Sequence, residues 1–327
     1  MMSIIILTVC IALFFDFLNG FHDAANSIAT IVSTRVLKPH WAVLWAALFN
    51  FIAFAIFELN VANTIGTGLI DPSILDVHVI LAALLGAICW NLFTWYVGLP
   101  SSSSHALIGG LLGTAIVKAG FSPLKIAGIT KVLVAIVISP LLGFILGLLL
   151  MFLCARLFFR FTPRRIDSWF RRWQLLSSAL ISLGHGGNDA QKTMGIIAVL
   201  LFSAGLLGDT FYVPLWVVMA CYFVIALGTF FGGWRIVKTM GMRITKLKPI
   251  HGFCAETASA VTLFLATGLG IPVSTTHTIT GSIVGVGTLN GYRAVRWGVA
   301  RNIVWAWLLT IPASGLVAGM VWLLLPI

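Results

Sequence analysis

The sequence predicts an all-α polytopic membrane protein made of two inverted-topology repeats, with broken or re-entrant helices meeting at a midplane site. Three observations carry that expectation. The 327 residues are 60% hydrophobic and 9% charged, with a mean hydropathy of +1.06, so too few polar side chains remain to clothe a water-facing surface. The apolar stretches 129–155, 213–231 and 299–325 reach or approach the ~20 residues of a bilayer-crossing helix, and they lack the alternation of barrel strands. Two motif pairs recur in the same order: NGFHDAANS (19–27) with HGGNDAQKT (185–193), and GLPSSSSHALIG (98–109) with GIPVSTTHTITG (270–281).

From the N-terminus, segment 4–18 has neither the basic flank nor the small-residue cleavage site of a leader, and it is read as part of the mature fold. Breaks at Gly, Pro and polar clusters divide the first half, 1–155, into apolar elements near 3–18, 22–34, 41–59, 74–97, 104–118 and 129–155. A basic link, 156–174, follows. The second half, 175–327, divides near 175–185, 189–207, 212–231, 249–267, 275–290 and 297–325. Six arginines against one aspartate in 156–172, and five basic residues without an acid in 235–248, place both stretches on the cytoplasmic side. Arg35, Lys38, Arg293, Arg296 and Arg301 are expected there too, whereas 71–76 and Asp209 suit the outside. Crossings fit these anchors if the first two elements of each half form one broken crossing, the third and sixth cross once, and the fourth and fifth contribute an even number. Each half then crosses an odd number of times, so the second runs opposite to the first and both termini face out. Lys118, Lys125 and Lys131 fall on the outside, against the positive-inside trend.

Several classes are excluded. The five cysteines stand singly in apolar segments, as packing residues do, without metal-ligand or redox spacing. The formal charge of +11 is dispersed among loops with no aromatic interleaving, so it reads as membrane topology rather than nucleic-acid binding. No GxxxxGK[ST], HExxH or GxSxG occurs, so neither an ATP-driven pump nor a common hydrolase is indicated, and energy must come from an ion gradient.

Of nine acidic residues, Asp16, Asp23, Asp189 and Glu256 lie in or beside apolar segments. A carboxylate at helix centre costs about 2.5–3.5 kcal/mol on insertion scales, so the symmetric pair Asp23 and Asp189 implies a function, while Asp16 is equally readable as structural. Gly, Asn and Gln around the pair are expected to unwind the helix and free backbone groups for a cation and an anion. His22, Asn26, Asn188 and Gln191 supply neutral or switchable partners. Pro100 and Pro272 suggest helix starts, which places Ser101, Ser102, Ser103, Ser104, Ser274, Thr275 and Thr276 at or near first-turn N–H groups. Free N–H groups, a positive dipole end and hydroxyls make an anion site, and two such ends from inverted halves suit a tetrahedral oxyanion. A single such motif would more simply be close helix packing; the duplication favours a site. His105 and His277 are open between orienting hydroxyls, carrying a proton and capping. Lys192 is a further charge at this depth, placed to balance Asp189 or the anion.

On these residues the chain resembles the inorganic phosphate transporter (PiT) family. Its paired GANDVANA-like signatures are similar to GFHDAANS and GGNDAQKT, and WNLFTWYVGLPSSSSH and GIPVSTTH are most similar to the bacterial low-affinity branch. The resemblance implies phosphate uptake by secondary transport coupled to a cation, a proton with neutral metal phosphate in that branch or sodium in others. It implies Asp23, Asn26, Asp189 and Gln191 in the coupling or substrate site, Ser103, Ser104, Thr275 and Thr276 near phosphate, and Glu256 as the acidic position of the second half. Sodium-coupled relatives carry glutamate where this chain has Asn50, which puts a two-sodium mechanism in doubt. The bound ion is thus expected between Asp23, Asp189 and Glu256, with Asn188 beside it, in a plasma (inner) membrane. The expected partners are phosphate, a coupling cation and the lipid bilayer, with a homodimer compatible, no nucleic acid and no resident cofactor. A sulfate permease and an anion channel are the competing readings; an intramembrane enzyme would need a nucleophile elbow the chain lacks.

Overall fold

The computed structural model describes residues 2–325, among which no β-strand occurs. The first half contains α1 (Met2–Ser33), α2 (Pro39–Ile52), α3 (Asn60–Thr67), α4 (Val77–Val97), α5 (Ser103–Ala119) and α6 (Ile126–Phe158). The second contains α7 (Pro163–Ser203), α8 (Leu215–Phe231), α9 (Trp234–Lys238), α10 (Pro249–Gly268), α11 (Thr275–Thr288) and α12 (Trp297–Leu324). Each half therefore reads as a long helix, a bent pair, a long helix, a short helix led by hydroxyl residues, and a long helix with an internal proline, Pro140 or Pro312. Among the described residues five helices are long and apolar enough to cross a membrane, or seven if each of two bent pairs counts as one span.

The helix breaks differ from the sequence expectation. Helix α1 runs unbroken through Asn19–Ser27 and α7 through His185–Thr193, so neither aspartate motif unwinds. Their polar side chains find partners on neighbouring helices, which lets the backbone keep its i→i−4 bonds despite the glycines. The chain bends instead between α2 and α3, by 82°, and between α8 and α9, by 61°. Gly232, at φ +69°, makes the second bend possible without a Cβ penalty. The basic link is also mostly helical: Pro163 opens α7 in the first turn, where its missing N–H costs nothing.

Contacts between helix ends tie neighbouring elements together. Arg171 Nη1 donates to the Arg35 carbonyl at 2.9 Å, joining the end of α1 to the start of α7, and Arg296 N–H donates to the Ile244 carbonyl at 2.9 Å. At the other end Ile70 bridges Leu124, Lys118 Nζ donates to Asp76 at 2.6 Å, and Lys125 Nζ donates to the Thr67 carbonyl at 2.7 Å. Burial raises Asp76, but the Lys118 ammonium and the Val79 N–H outweigh it and hold the carboxyl below its usual range. The charge of Lys118 is therefore balanced where it sits.

The two short helices are clasped across the halves. Helix α5 packs on α12 of the second half, and α11 packs on α6 of the first. A Cβ on Gly109 would meet the Ile311 carbonyl at 2.5 Å, and one on Gly281 would meet the Pro140 carbonyl at 2.1 Å. Small residues here let backbones approach, the usual packing device of membrane helices. Gly281→Ala is expected to destabilise by about 1–3 kcal/mol through overpacking, read as a lower Tm in detergent. Gly268→Ala, where a Cβ meets nothing within 4 Å, is the unaffected control.

Candidate functional site

The starts of α5 and α11 meet beside the middle of α1 and α7. Ser102 and Ser274 are their N-caps, each hydroxyl accepting from a backbone N–H three residues on, His105 or His277, at 3.2 Å. Pro100 and Pro272 lie two residues before these caps rather than inside the first turn, so the helices start later than the prolines suggest. The first helical residues are then Ser103, Ser104, Thr275 and Thr276, and their N–H groups have no preceding turn to bond.

These four hydroxyls are shared between the halves in a pseudo-symmetric pattern. Ser103 Oγ donates to Asp23 Oδ2 at 2.8 Å, and Thr275 Oγ1 donates to Asp189 Oδ2 at 3.0 Å. In the reciprocal pair, Asn26 Nδ2 donates to Thr276 Oγ1 at 3.0 Å, while Lys192 Nζ donates to Ser104 Oγ at 2.5 Å. Asn26 Nδ2 also reaches Thr275 Oγ1 at 2.9 Å. Lys192 completes its set with Asp189 and with the Val273 carbonyl, the latter at 2.7 Å. All eight side chains of this pattern are at most 3% exposed. Such burial is sustained by pairing: an isolated charge here would cost roughly several kcal/mol even after relaxation.

Histidines extend the cluster on both sides. His22 Nδ1 lies 2.7 Å from Asp23 Oδ1, and its Nε2 is 3.1 Å from Thr94 Oγ1, which in turn accepts from Ser101 Oγ at 2.9 Å. The relay fixes the ring against the carboxylate, an orienting role for His22. His185, one helical turn before Asp189, has Nε2 3.2 Å from Asp189 Oδ2 and Nδ1 3.1 Å from Asn50 Oδ1. Asn50 Nδ2 donates to Thr229 Oγ1 at 2.8 Å, so the asparagine acts here as part of the support of His185. One ligating atom from each of Asp23, His185 and Asp189 falls within 4.8 Å of the others, a set able to hold a small cation.

Four sequence expectations are corrected. Gln191 is turned away: its Oε1 accepts from Val61 N–H at 3.0 Å and Ala62 N–H at 3.3 Å, and its Nε2 donates to the carbonyls of Glu58 and Gly187 at 2.8 Å. It caps α3 in place of an N-cap residue. Glu256 accepts from Gln174 Nε2 at 2.9 Å and Ser177 Oγ at 2.5 Å. Ser177 and Asp189 are twelve residues apart on α7, about 18 Å along the axis, so Glu256 does not share an ion with the aspartate pair. Asn188 Nδ2 donates to Thr267 Oγ1 at 2.9 Å, on the α10 side. His105 and His277 touch each other edge to face at 4.7 Å between centroids, with His277 stacked on Trp307; they pack behind the helix starts and orient no site hydroxyl. Asp16 accepts from Thr193 Oγ1 at 2.8 Å and ties α1 to α7.

His185, Asn19 and Thr94 escaped sequence reasoning. Ser103 Oγ lies 2.6 Å from Asn19 Oδ1, and Asn19 precedes Asp23 by four residues as His185 precedes Asp189. That i, i+4 spacing to each aspartate was the available signal, since it sets both residues on the aspartate's helix face.

A helical membrane protein in which two hydroxyl-tipped helix starts converge on two buried carboxylates belongs with the carriers of small anions, not with the enzymes. The chain is a member of the phosphate transporter family (PHO4), whose profile matches residues 19–318. It is 64% identical over 312 residues to a Rhizobium meliloti protein named "Probable low-affinity inorganic phosphate transporter", covering 95% of this chain and 93% of that one. A Bacillus subtilis protein of the same name is 45% identical over 322 residues, covering 98% and 96%. Among solved structures, "The sodium-dependent phosphate transporter" superposes with a TM-score of 0.89 at 25% identity, covering 98% of both chains.

Proposed function

We propose that this protein takes up inorganic phosphate by secondary transport coupled to a cation gradient, with the anion held between the starts of α5 and α11. The observation that carries this reading is the convergence of Ser103, Ser104, Thr275 and Thr276, two from each half, on the Asp23 and Asp189 carboxylates. Two helix N-termini add first-turn N–H groups and positive dipole ends to the hydroxyls, and a tetrahedral anion offers acceptors in every direction. The hydroxyls now bond the carboxylates and the Asn26 and Lys192 side chains. Binding phosphate exchanges the Ser103 and Thr275 bonds to the carboxylates for hydroxyl–phosphate bonds, while Ser104 and Thr276 keep accepting from Lys192 and Asn26 and turn their own protons to the anion. The Asp23 carboxylate is then ready for a cation or for a proton of the phosphate. Sulfate, dianionic near neutrality, has no proton to give, so the carboxylates favour phosphate.

Asp23 with Asn26 is the coupling side. A proton on the Asp23 carboxylate and a sodium ion beside it meet the same charge requirement, and phosphate carried as neutral metal phosphate lowers it further. Oppositely directed halves, with the Arg35–Arg171 end cytoplasmic and both termini outside, allow the halves to rock about this centre in a plasma membrane. The Lys118–Asp76 pair supports that orientation, because an outside lysine neutralised in place does not compete with the arginine-rich end.

Uptake of labelled phosphate into proteoliposomes, under proton and sodium gradients imposed separately and with excess cold sulfate, tests the reading. Uptake that one gradient drives and sulfate leaves intact is expected; sulfate competing as well as phosphate contradicts the choice of substrate. Ser104→Ala and Thr276→Ala each remove one donor to a charged ligand, worth about 1.5–3 kcal/mol, and are expected to raise the phosphate KM by roughly 10- to 100-fold with little change in Tm.

A further inference from the structure

We infer that Lys192 is a tethered coupling cation: its ammonium takes, in the α7 half of the site, the place that a mobile monovalent cation takes in the α1 half. The inference deepens the transport reading above and rests on it. The two halves of the site correspond residue by residue in sequence. Asp23 matches Asp189 and Asn26 matches Lys192, each 166 apart, while Ser101, Ser103 and Ser104 match Val273, Thr275 and Thr276, each 172 apart. Within this frame Lys192 is the place where the pattern departs in charge, since Asn26 is neutral.

The surroundings of the Lys192 Nζ are those of a small cation. It touches one carboxylate oxygen of Asp189, one hydroxyl oxygen of Ser104 and one main-chain oxygen of Val273. Hard monovalent cations take oxygen donors of these kinds. An ammonium has three N–H donors, and all three are used, so none is left to hold phosphate directly. Lys192 is therefore a ligand of the second carboxylate and not a phosphate clamp.

By the same offsets the corresponding residues of the α1 half are Asp23, Thr276 and Ser101, with Asn26 in place of the lysine. Asn26 reaches Thr275 and Thr276 through its Nδ2, and its Oδ1 is buried with no hydrogen-bond partner. A buried acceptor left without a donor, next to a carboxylate, calls for a cation or a proton. One half thus carries its positive charge on the chain, and the other must collect it from solution. This chain then needs one co-transported cation fewer than a protein with asparagine at both places.

The test is Lys192→Asn, which makes the two halves alike. Wild type and variant are compared in proteoliposomes for phosphate uptake with sodium or choline outside, at fixed pH and membrane potential, and as purified protein for Tm in the same salts. Relative to wild type in the same salts, the variant is expected to lose at least a further tenfold of its uptake in choline, to regain it saturably with sodium, and to gain a stabilisation by sodium beyond any that the Asp23 side gives wild type. Lys192→Ala is the second variant, expected to be stabilised and reactivated by methylammonium, which restores a free ammonium to the vacated place. If neither variant is stabilised or reactivated by any monovalent cation, or if Lys192→Asn works equally well in choline, the inference is overturned. Failure of wild type to concentrate phosphate in the same vesicles overturns instead the transport reading on which it rests.

Discussion

Asp23→Asn is expected to abolish concentrative phosphate uptake while leaving the protein folded. Asparagine has the size of aspartate and can still accept from Ser103 Oγ, so the α1–α5 contact survives. What disappears is the negative charge that makes a cation welcome in a place at most 3% exposed. A cation that no longer binds cannot be coupled, and the loss in gradient-driven rate is expected to exceed about 100-fold, equivalent to roughly 2.7 kcal/mol. Initial uptake rates and the detergent Tm of the same preparation check both halves of the statement. An Asp23→Asn protein that passes phosphate as an undiminished conductance would identify a channel.

Asp189→Asn should act differently, because its partner is fixed. Lys192 would be left charged and buried after losing its carboxylate, and breaking a buried pair from one side costs about 3–5 kcal/mol. The expected result is a marked fall in Tm and poor recovery of folded protein. Replacing both residues, Asp189→Asn with Lys192→Asn, removes the stranded charge and is expected to restore most of the lost stability, since the two substitutions share one interaction and cannot be additive. Thermal unfolding of the single and double variants in detergent provides the comparison; equal Tm values for the two would contradict the pairing. The matched aspartates are thus distinguished by their neighbours, and on the proposed reading Asp23 serves coupling while Asp189 also holds Lys192.

The sequence made the repeat legible because motif pairs survive as residue identities. Asp23 with Asp189 and Ser103–Ser104 with Thr275–Thr276 could be matched by eye, and their convergence follows once the halves are opposed. The helix geometry was less legible. Glycine-rich, polar motifs read as unwound when considered alone, but Asn26, Ser103 and Thr275 bond across helices and leave the backbone of α1 and α7 intact. Gln191 looked like a ligand because of its place in the motif, whereas the bend before α3 needs a cap and Gln191 provides it. Glu256 shares with the aspartates only its place inside an apolar segment; its partners Gln174 and Ser177 lie well along α7 from Asp189, and the sequence of α10 alone does not report which part of α7 it meets. The prolines misled by position: Ser102 and Ser274 cap the helices, so Pro100 and Pro272 only hold the extended approach.

The charge balance sharpens once Lys192 is placed. Without an arginine near the proposed phosphate position a co-bound cation is expected, and the sequence left Lys192 open between balancing Asp189 and balancing the anion. The structure supplies one of those charges from the chain itself, inside the second half of the site. That leaves Asp23 as the carboxylate whose countercharge arrives from outside, and it makes the asymmetry between two otherwise matched halves a property of coupling rather than of phosphate binding.

The central claim, gradient-coupled uptake through this site, is tested most directly by accumulation. Proteoliposomes loaded with unlabelled phosphate at the external concentration are given labelled phosphate and an inward cation gradient. Net accumulation of phosphate above the external concentration, lost when an ionophore collapses the gradient and absent in Asp23→Asn, is the predicted result. Wild-type vesicles that only equilibrate phosphate across the membrane, with or without the gradient, would contradict it.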